Sequence, residues 1–245
     1  MAGIKNILTI VALIAFPAIS MAQITSGRIV FERKINLHKL YKDNDRVKRF
    51  LKEDVKWKIE EFELYFNDSL SAFTPIESDE PEQGFMKFLT THNKIYSNTA
   101  ANQKIAVLDL WGTETIVKDS LTKRTWKITE NKRNIAGYLC RKAMWEMNDS
   151  TRVYAWFSSE VAPSIGPEGF SGLPGTVLGL ATEDGSIIYF AKEVKAMAPP
   201  STKLEYTITA KEKDVYTVEA LKVALLEKMG QWVKKEDLDA MFSWL

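Results

Sequence analysis

The fold of this chain is limited above all by a long succession of short segments in which apolar and polar residues alternate. Alternation with a period of two is typical of half-buried strands. Short turns rich in Asn, Asp and Gly join such strands in antiparallel order. The sequence therefore predicts an antiparallel meander, with strands at residues 94–99, 104–111, 113–118, 125–129, 138–147, 152–158, 177–181, 186–192 and 203–209.

The residues before this meander combine strands with one helix. Residues 28–35 predict a first strand, and the apolar spacing after Asp43 predicts a helix over about residues 44–55. Residues 57–66 predict a strand whose alternation slips at Glu60-Glu61, as a β-bulge would allow.

Two helices are predicted near the end of the sequence. Apolar residues recur at helical spacing from Val218 to Met229 and again from Leu238 to Leu245. The predicted fold is thus mainly β (α+β): a curved antiparallel sheet or half-open barrel meander, with a helix after strand 1 and two C-terminal helices.

Residues 166–180 place a glycine at every third position and then return to apolar residues. Pro174 and Gly175 fit the second and third positions of a type II turn, which requires φ > 0 at the third. Phe170 and Leu173 are too apolar for water, so we expect the loop to fold over one end of the sheet and insert both into the core. We interpret the loop as a structural motif that comprises Gly166, Pro167, Gly169, Phe170, Gly172, Leu173, Pro174 and Gly175.

Catalytic and phosphate-binding roles fit this loop poorly. A nucleophile elbow needs Gly-x-Ser-x-Gly, but Leu173 follows Ser171 where the last glycine is required. The two histidines, His38 and His92, lie in no recognisable triad context. A phosphate cradle needs a cation or a following helix, whereas residues 159–190 contain no Lys or Arg.

Sulfur and carboxylate side chains offer two further candidate sites. Cys140, Met144 and Met147 carry ligand types that suit monovalent copper, but Met147 faces away from the other two on a strand, so we interpret them as core filling. The Asp and Glu residues lie in turns or on outward strand positions, with no marked pair of the glycosidase kind. We therefore expect no catalytic residue, no metal site and no cofactor.

The first residues have the pattern of a secretory signal peptide. An apolar run follows Lys5, is short for a membrane span, and ends at the small residues Ser20 and Ala22. We expect residues 1–22 to be removed, a mature chain that begins at Gln23 in the periplasm or outside the cell, and no transmembrane segment after removal.

We divide the mature chain into a β domain, residues 23–210, and a C-terminal helical extension, residues 211–245. Cys140 is the only cysteine, so no internal disulfide can form and packing has to stabilise the fold. Without Lys5 the chain has 32 Lys and Arg against 32 Asp and Glu. This balance argues against a nucleic-acid partner.

Several blocks of the sequence occur in the order typical of one family. They are Thr125-Trp-Lys-Ile128, Ile135-Ala-Gly-Tyr-Leu-Cys-Arg-Lys-Ala143, Val153-Tyr-Ala-Trp-Phe157, Gly166-Pro167 and Gly172-Leu-Pro-Gly175. Over residues 27–197 the chain resembles the GLPGLI family of exported proteins, with Thr176 and Val177 in place of the Leu and Ile of the family's motif. The resemblance implies an envelope location in Gram-negative bacteria, no established activity or catalytic residues, and an association with TonB-dependent outer-membrane receptors.

Three functions follow, in order of preference. The first is a non-catalytic binding or chaperone-like domain whose concave apolar face holds a lipid, a peptide or a partner segment. The second is a scaffold that engages an outer-membrane receptor or another envelope protein through the C-terminal helices or a sheet edge. The third is an envelope hydrolase, which would need Ser171, His92 or paired carboxylates around a concave pocket.

Overall fold

The computed structural model describes residues 23–51, 53–54, 56–78, 89–110, 112–148, 151–209, 215–231 and 233–245. The predicted signal peptide, residues 1–22, lies outside the described residues. Within the described part, no helix combines the length and apolar content needed to cross a bilayer.

One mixed sheet of twelve strands, which does not close, forms the body of the protein. The strands are β1 Gly27–Asn36, β2 Trp57–Phe66, β3 Leu70–Pro75, β4 Lys94–Asn98, β5 Gln103–Leu110, β6 Thr113–Asp119, β7 Lys127–Ile135, β8 Tyr138–Asn148, β9 Thr151–Ser158, β10 Thr176–Thr182, β11 Ile187–Ala196 and β12 Val215–Tyr216. Their order across the sheet is β12-β6-β5-β4-β3-β2-β1-β11-β10-β9-β8-β7.

The helices are α1 Leu37–Leu40, α2 Asp45–Lys48, α3 Ser201–Leu204, α4 Val218–Met229 and α5 Lys235–Met241. The predicted fold, mainly β with a helix after strand 1 and two C-terminal helices, is confirmed. The predicted helix over residues 44–55 is too long, since α2 ends at Lys48. Asn44 begins α2, and its side chain accepts from the backbone N–H of Val47 at 3.1 Å.

The sheet is antiparallel between all neighbouring strands except β12 and β6, which run parallel. β1 lies in the middle, between β2 and β11, and its first residue Gly27 pairs with Ala196 at the far end of β11. The edges are the two-residue β12 and the longer β7.

Two details of the predicted meander are wrong. Residues 131–134, which lie between the strands predicted at 125–129 and 138–147, belong to β7, and the chain reverses at Ala136 and Gly137, which have φ of 50° and 87°. Residues 203–209, predicted as a strand, begin within α3 and continue without a partner strand among the described residues. Leu204 of α3 is nevertheless buried.

The polarity of β2 inverts along its length. β2 pairs with β1 without interruption from Trp57 to Phe66, so the predicted bulge at Glu60-Glu61 is wrong. In the second half of β2, Phe62 and its alternate neighbours face the core. In the first half the same face carries Lys58 and Glu60, and the apolar side chains point the other way.

The core lies on one face of the sheet, here called the inner face. Its strands contribute Phe62 and Phe73, whose rings stack 4.9 Å apart. The loop before β10 and the two C-terminal helices cover this face with the buried side chains Phe170, Leu173, Leu221, Leu238 and Phe242. The helices of the predicted extension therefore share one core with the sheet.

Candidate functional site

The glycine loop, residues 166–175, crosses the inner face and leads into β10. Phe170 and Leu173 are both buried, as their apolar character predicted. Gly166 allows a close approach, because a Cβ on it would lie 2.7 Å from the Cβ of Val177. Gly175 has φ of 136°, and a Cβ there would overlap the backbone carbonyl of Ser158.

The predicted type II turn over residues 173–176 is wrong in its hydrogen bonding. The backbone N–H of Gly175 donates to the carbonyl of Leu173 at 2.8 Å, which makes a three-residue turn centred on Pro174. The N–H of Thr176 donates instead to Val161 at 2.9 Å. The loop thus enters β10 more tightly than the sequence predicted.

The glycine loop also carries a buried carboxylate, Glu168. This residue has φ of 52°, an uncommon conformation for a side chain other than glycine. Its Oε1 accepts a hydrogen bond from the Tyr189 hydroxyl at 2.6 Å and lies 3.8 Å from Nη1 of Arg33. Burial raises the pKa of Glu168, and the charge of Arg33 opposes that rise.

Arg33 joins Glu168 to a second carboxylate, Glu60. Nε and Nη2 of Arg33 donate to Glu60 Oε2 at 3.0 and 2.5 Å. Thr90 Oγ1 and His92 Nε2 contact the other oxygen, Oε1, at 2.9 and 2.6 Å. We call this set the Arg33 cluster; its members are Arg33, Glu60, Thr90, His92, Glu168 and Tyr189. Glu60 and Glu168 thus share one buried guanidinium, an arrangement that the sequence did not indicate.

The electrostatics of the Arg33 cluster are those of a closed ion network. Burial works against the charge of Glu60, but the hydrogen bond with His92 and the charges of Arg33 and Lys58 outweigh it and hold its pKa well below the usual range. Burial also works against the charge of Arg33, but its electrostatic interactions with Tyr189, Glu60 and Glu168 outweigh burial and raise its pKa. Glu60 is therefore an ionised anchor at neutral pH.

The groups that a hydrolase would need are only partly brought together. His92 and Glu60 form an imidazole–carboxylate pair, while Ser171 lies in the glycine loop, where its carbonyl accepts from Trp126 Nε1 at 2.9 Å. The cavity beside Ser171 measures about 10 Å³, which holds no more than a water molecule. No contact joins Ser171 to His92 within the described ranges.

The sulfur side chains differ in burial. Cys140 is fully buried, and burial followed by the charge of Glu160 raises its pKa to about 11. Met144 and Met147 are half-exposed, so the interpretation of all three as core filling is wrong for the methionines.

The inverted start of β2 places apolar side chains on the outer face. Trp57 is 40% exposed and Ile59 is 57% exposed. Trp57 pairs with Asn36, the last residue of β1, after which the chain continues into α1 and α2. We call the surface formed by Trp57 and Ile59 the outer apolar face.

The signal for this surface is present in the sequence. Trp57 and Ile59 alternate out of phase with the apolar residues after Glu61. A bulge at the slip would place every apolar residue of the strand on the inner face. An uninterrupted strand that exposes Trp57 and Ile59 has the same sequence pattern.

Comparisons with known proteins add information on the fold. No model of a known protein family matches the chain, and no curated protein does. The chain is similar to PNGF-II in two crystal forms, with TM-score 0.50 at 19% identity over 76% of this chain and TM-score 0.53 at 15% identity over 85%. It spans about a third of the PNGF-II chain, 31% and 34% respectively. At this identity the likeness concerns the fold alone.

Two further solved structures are more distant. One is an uncharacterised conserved protein from Thermus thermophilus, with TM-score 0.38 and 10% identity over 79% of this chain and 91% of that one. The other is MucB, with TM-score 0.36 and 8% identity over 77% of this chain and 60% of that one. The resemblance to the GLPGLI family stays a prediction.

Proposed function

We propose that this chain is a non-catalytic, exported binding protein of the Gram-negative envelope that engages a partner polypeptide through the outer apolar face. The observation that carries the proposal is the inverted polarity of β2, which exposes Trp57 and Ile59 while Lys58 is buried and Glu60 is half-buried. Of the two ligand classes expected from the sequence, an apolar ligand and a partner polypeptide, we favour the second.

The composition of the outer apolar face suits a protein partner. Apolar side chains grouped on an exposed surface mark interaction sites, and Trp is enriched in protein interfaces. Lys34 on β1 lies directly opposite Ile59 on β2. Glu61, two residues after Ile59, forms an ion pair with Lys192 at 2.6 Å. Charges of both signs therefore border the apolar side chains, as in the polar rim of an interface.

The inner face is a poorer candidate for a lipid. Side chains of the chain itself, among them Phe170, Leu221 and Phe242, are buried there. A lipid would have to displace them, and each displaced large side chain costs about 1.5–3 kcal/mol of hydrophobic free energy. The outer apolar face needs no such rearrangement.

The Arg33 cluster supports the non-catalytic part of the proposal. Glu60 is engaged by Arg33, Thr90 and His92, and its lowered pKa makes it a weak base at neutral pH. A general base needs a pKa close to the working pH. We therefore assign these residues to holding the glycine loop against the sheet.

Export and the identity of the partner rest on other grounds. The predicted signal peptide supports an envelope location, and the resemblance to the GLPGLI family suggests a TonB-dependent outer-membrane receptor as partner. Position 59 provides a direct test of this proposal, because a photo-cross-linking amino acid placed there faces outward.

Two proteins that carry the cross-linking amino acid at position 59 are expressed in host cells, one otherwise wild type and one that also carries Trp57→Ser. The experiment compares the adducts that they form. We expect one defined polypeptide adduct, and an adduct about thirtyfold weaker or more in the variant, because truncating an interface Trp costs about 2 kcal/mol or more of binding. Val223→Ser, at another exposed apolar site on α4, should leave the adduct unchanged. Equal adducts from all three proteins, or native mass spectra that show bound lipid instead of polypeptide, would contradict the proposal.

A further inference from the structure

Two further buried cations, Lys104 and Arg124, lie outside the Arg33 cluster. Lys104 belongs to β5 and is 3% exposed, and Arg124 belongs to the segment between β6 and β7 and is 8% exposed. Across the residues that the structure describes, neither side chain has a carboxylate within the 4.0 Å of an ion pair. Such uncompensated burial of charge is rare.

The hydrogen bonds of these two cations end on neutral groups. Lys104 Nζ donates to Thr122 Oγ1 at 2.8 Å, and Arg124 Nη2 donates to the backbone carbonyl of Trp244 at 2.6 Å. Nε and Nη1 of Arg124 are buried without a hydrogen-bond partner. The guanidinium instead stacks over the ring of Phe170, 4.0 Å from its centroid.

The two charges also repel each other. Burial and then the charge of Arg124 lower the pKa of Lys104 to about 8, against a smaller opposing effect of Asp119. Burial lowers the pKa of Arg124 to about 10. The shift of Lys104 therefore reflects both burial and a neighbouring positive charge, which an anion would offset, whereas the shift of Arg124 reflects burial alone.

Lys104 opens onto a groove between the sheet and the C-terminal residues. The groove has a volume of about 580 Å³, within the range of small-ligand sites. Its polar lining includes Lys104, Ser120, Thr122, Lys123, Lys222 and Ser243. These side chains supply cationic and hydroxyl donors, which are the groups that hold phosphoryl oxygens.

Two acidic residues also line the groove, and both are engaged. Asp119 Oδ2 accepts from the backbone N–H of Val218, the first residue of α4, at 3.3 Å. Glu219 pairs with Lys222 at 3.1 Å, and Lys222 also pairs with Asp239 at 2.9 Å. Among the described residues Lys104 has no such acidic partner, and Thr122, which accepts from Lys104, donates in turn to the main-chain oxygen of Leu245 at 2.5 Å.

We propose that this groove binds an oxyanion of the phosphate type, with Lys104 as the direct donor and Arg124 as a second buried charge behind it. Two cations match a phosphoryl group, which carries about −1.5 to −2 charges at pH 7. The groove is larger than one ion, so the oxyanion is either inorganic phosphate or the phosphoryl group of a glycan or lipid headgroup. This site is separate from the outer apolar face.

The test measures phosphate binding to the mature chain at constant ionic strength, by calorimetry and by the midpoint of thermal unfolding. Inorganic phosphate and glycerol 3-phosphate are the probes, with chloride as the reference. We expect a rise in the midpoint with both probes, and Lys104→Met should weaken their binding about tenfold or more, because a charged hydrogen-bond donor is lost. Lys132→Met, on the exposed edge strand β7, should bind as the wild type does.

The outcomes separate the two sources of the oxyanion. Tighter binding of glycerol 3-phosphate supports a headgroup ligand, and tighter binding of inorganic phosphate supports the free ion. Lys123→Met, which removes another cation of the groove lining, provides a second test should Lys104→Met fail to fold, with an expected loss of about threefold or more. The proposal is overturned if neither probe binds at millimolar concentration, or if the variants bind as the wild type does.

Discussion

Arg33 and Lys104 are buried to the same extent on the inner face, each 3% exposed, but in opposite surroundings. Arg33 meets Glu60 and Glu168, and its pKa is raised. Lys104 meets Arg124 and a hydroxyl group, and its pKa is lowered to about 8. The comparison shows that burial alone does not define the role of a charged side chain. A cation that is neutralised within the fold holds the fold together, whereas one without a counter-ion is available to a ligand.

The largest effect is expected from Arg33→Met, which leaves Glu60 and Glu168 buried without their shared cation. Removal of one partner from a buried ion network costs about 3–5 kcal/mol, so the free energy of unfolding in urea should fall by that amount. Arg28→Met, which removes a partly exposed pair with Glu63, should cost about 1 kcal/mol or less. A loss no greater than that of Arg28→Met would show that the Arg33 cluster is not an anchor.

The pH dependence of stability should reveal the unneutralised charge of Lys104. Its pKa is about 8 in the folded state against an ordinary value of 10.5, so between these pH values the unfolded chain binds more protons and this group's contribution rises with pH. Deprotonation of Lys104 raises the free energy of unfolding by about 3 kcal/mol at most between these pH values. Below pH 8 the amine is charged in the folded protein, and the full cost of burying that charge applies. Arg124 repels the same amine, and its own pKa of about 10 lies near the upper end of this window.

Urea unfolding of the wild type and of Lys104→Met at pH 7 and pH 10 checks this prediction. The variant should be the more stable protein at pH 7, and its advantage should shrink at pH 10. Arg124 and the other titratable groups are present in both proteins, so the difference between the two proteins reports the loss of Lys104. An advantage that stays constant with pH would argue against a buried, charged amine.

A smaller effect is expected from Tyr189→Phe, which removes the hydroxyl that donates to Glu168 at 2.6 Å. The buried carboxylate keeps Arg33 at 3.8 Å, so we expect a loss of about 1–3 kcal/mol in the free energy of unfolding. Tyr154→Phe removes a similar hydrogen bond, to the exposed Glu183, and should change stability by about 0.5 kcal/mol or less. Equal losses of unfolding free energy in Tyr189→Phe and Tyr154→Phe would mean that the hydrogen bond from Tyr189 does not stabilise the buried Glu168.

The contrast between the two halves of β2 shows what the sequence can predict. Phe62 to Phe66 follow simple alternation, so their burial is readable from local pattern. Glu60 is buried only because Arg33 and His92 come from other parts of the chain, and alternation carries no information on such partners. The first half of β2 was therefore predicted with the wrong geometry.

The glycine loop divides in the same way. The apolar character of Phe170 and Leu173 was enough to predict their burial. An acidic residue between glycines is typical of an exposed loop. Glu168 is nevertheless buried, because Tyr189 and Arg33 contact it from strands distant in sequence. The strand predicted at residues 203–209 failed for a related reason, since alternation gives a strand pattern but not a partner to pair with.

The central position of β1 has a consequence for how the protein assembles. Gly27 pairs with Ala196, so the middle of the sheet is completed only when the last long strand has arrived. Contacts between residues so far apart in sequence slow folding. During synthesis from the N-terminus, β1 therefore has one side unpaired until β11 has been made.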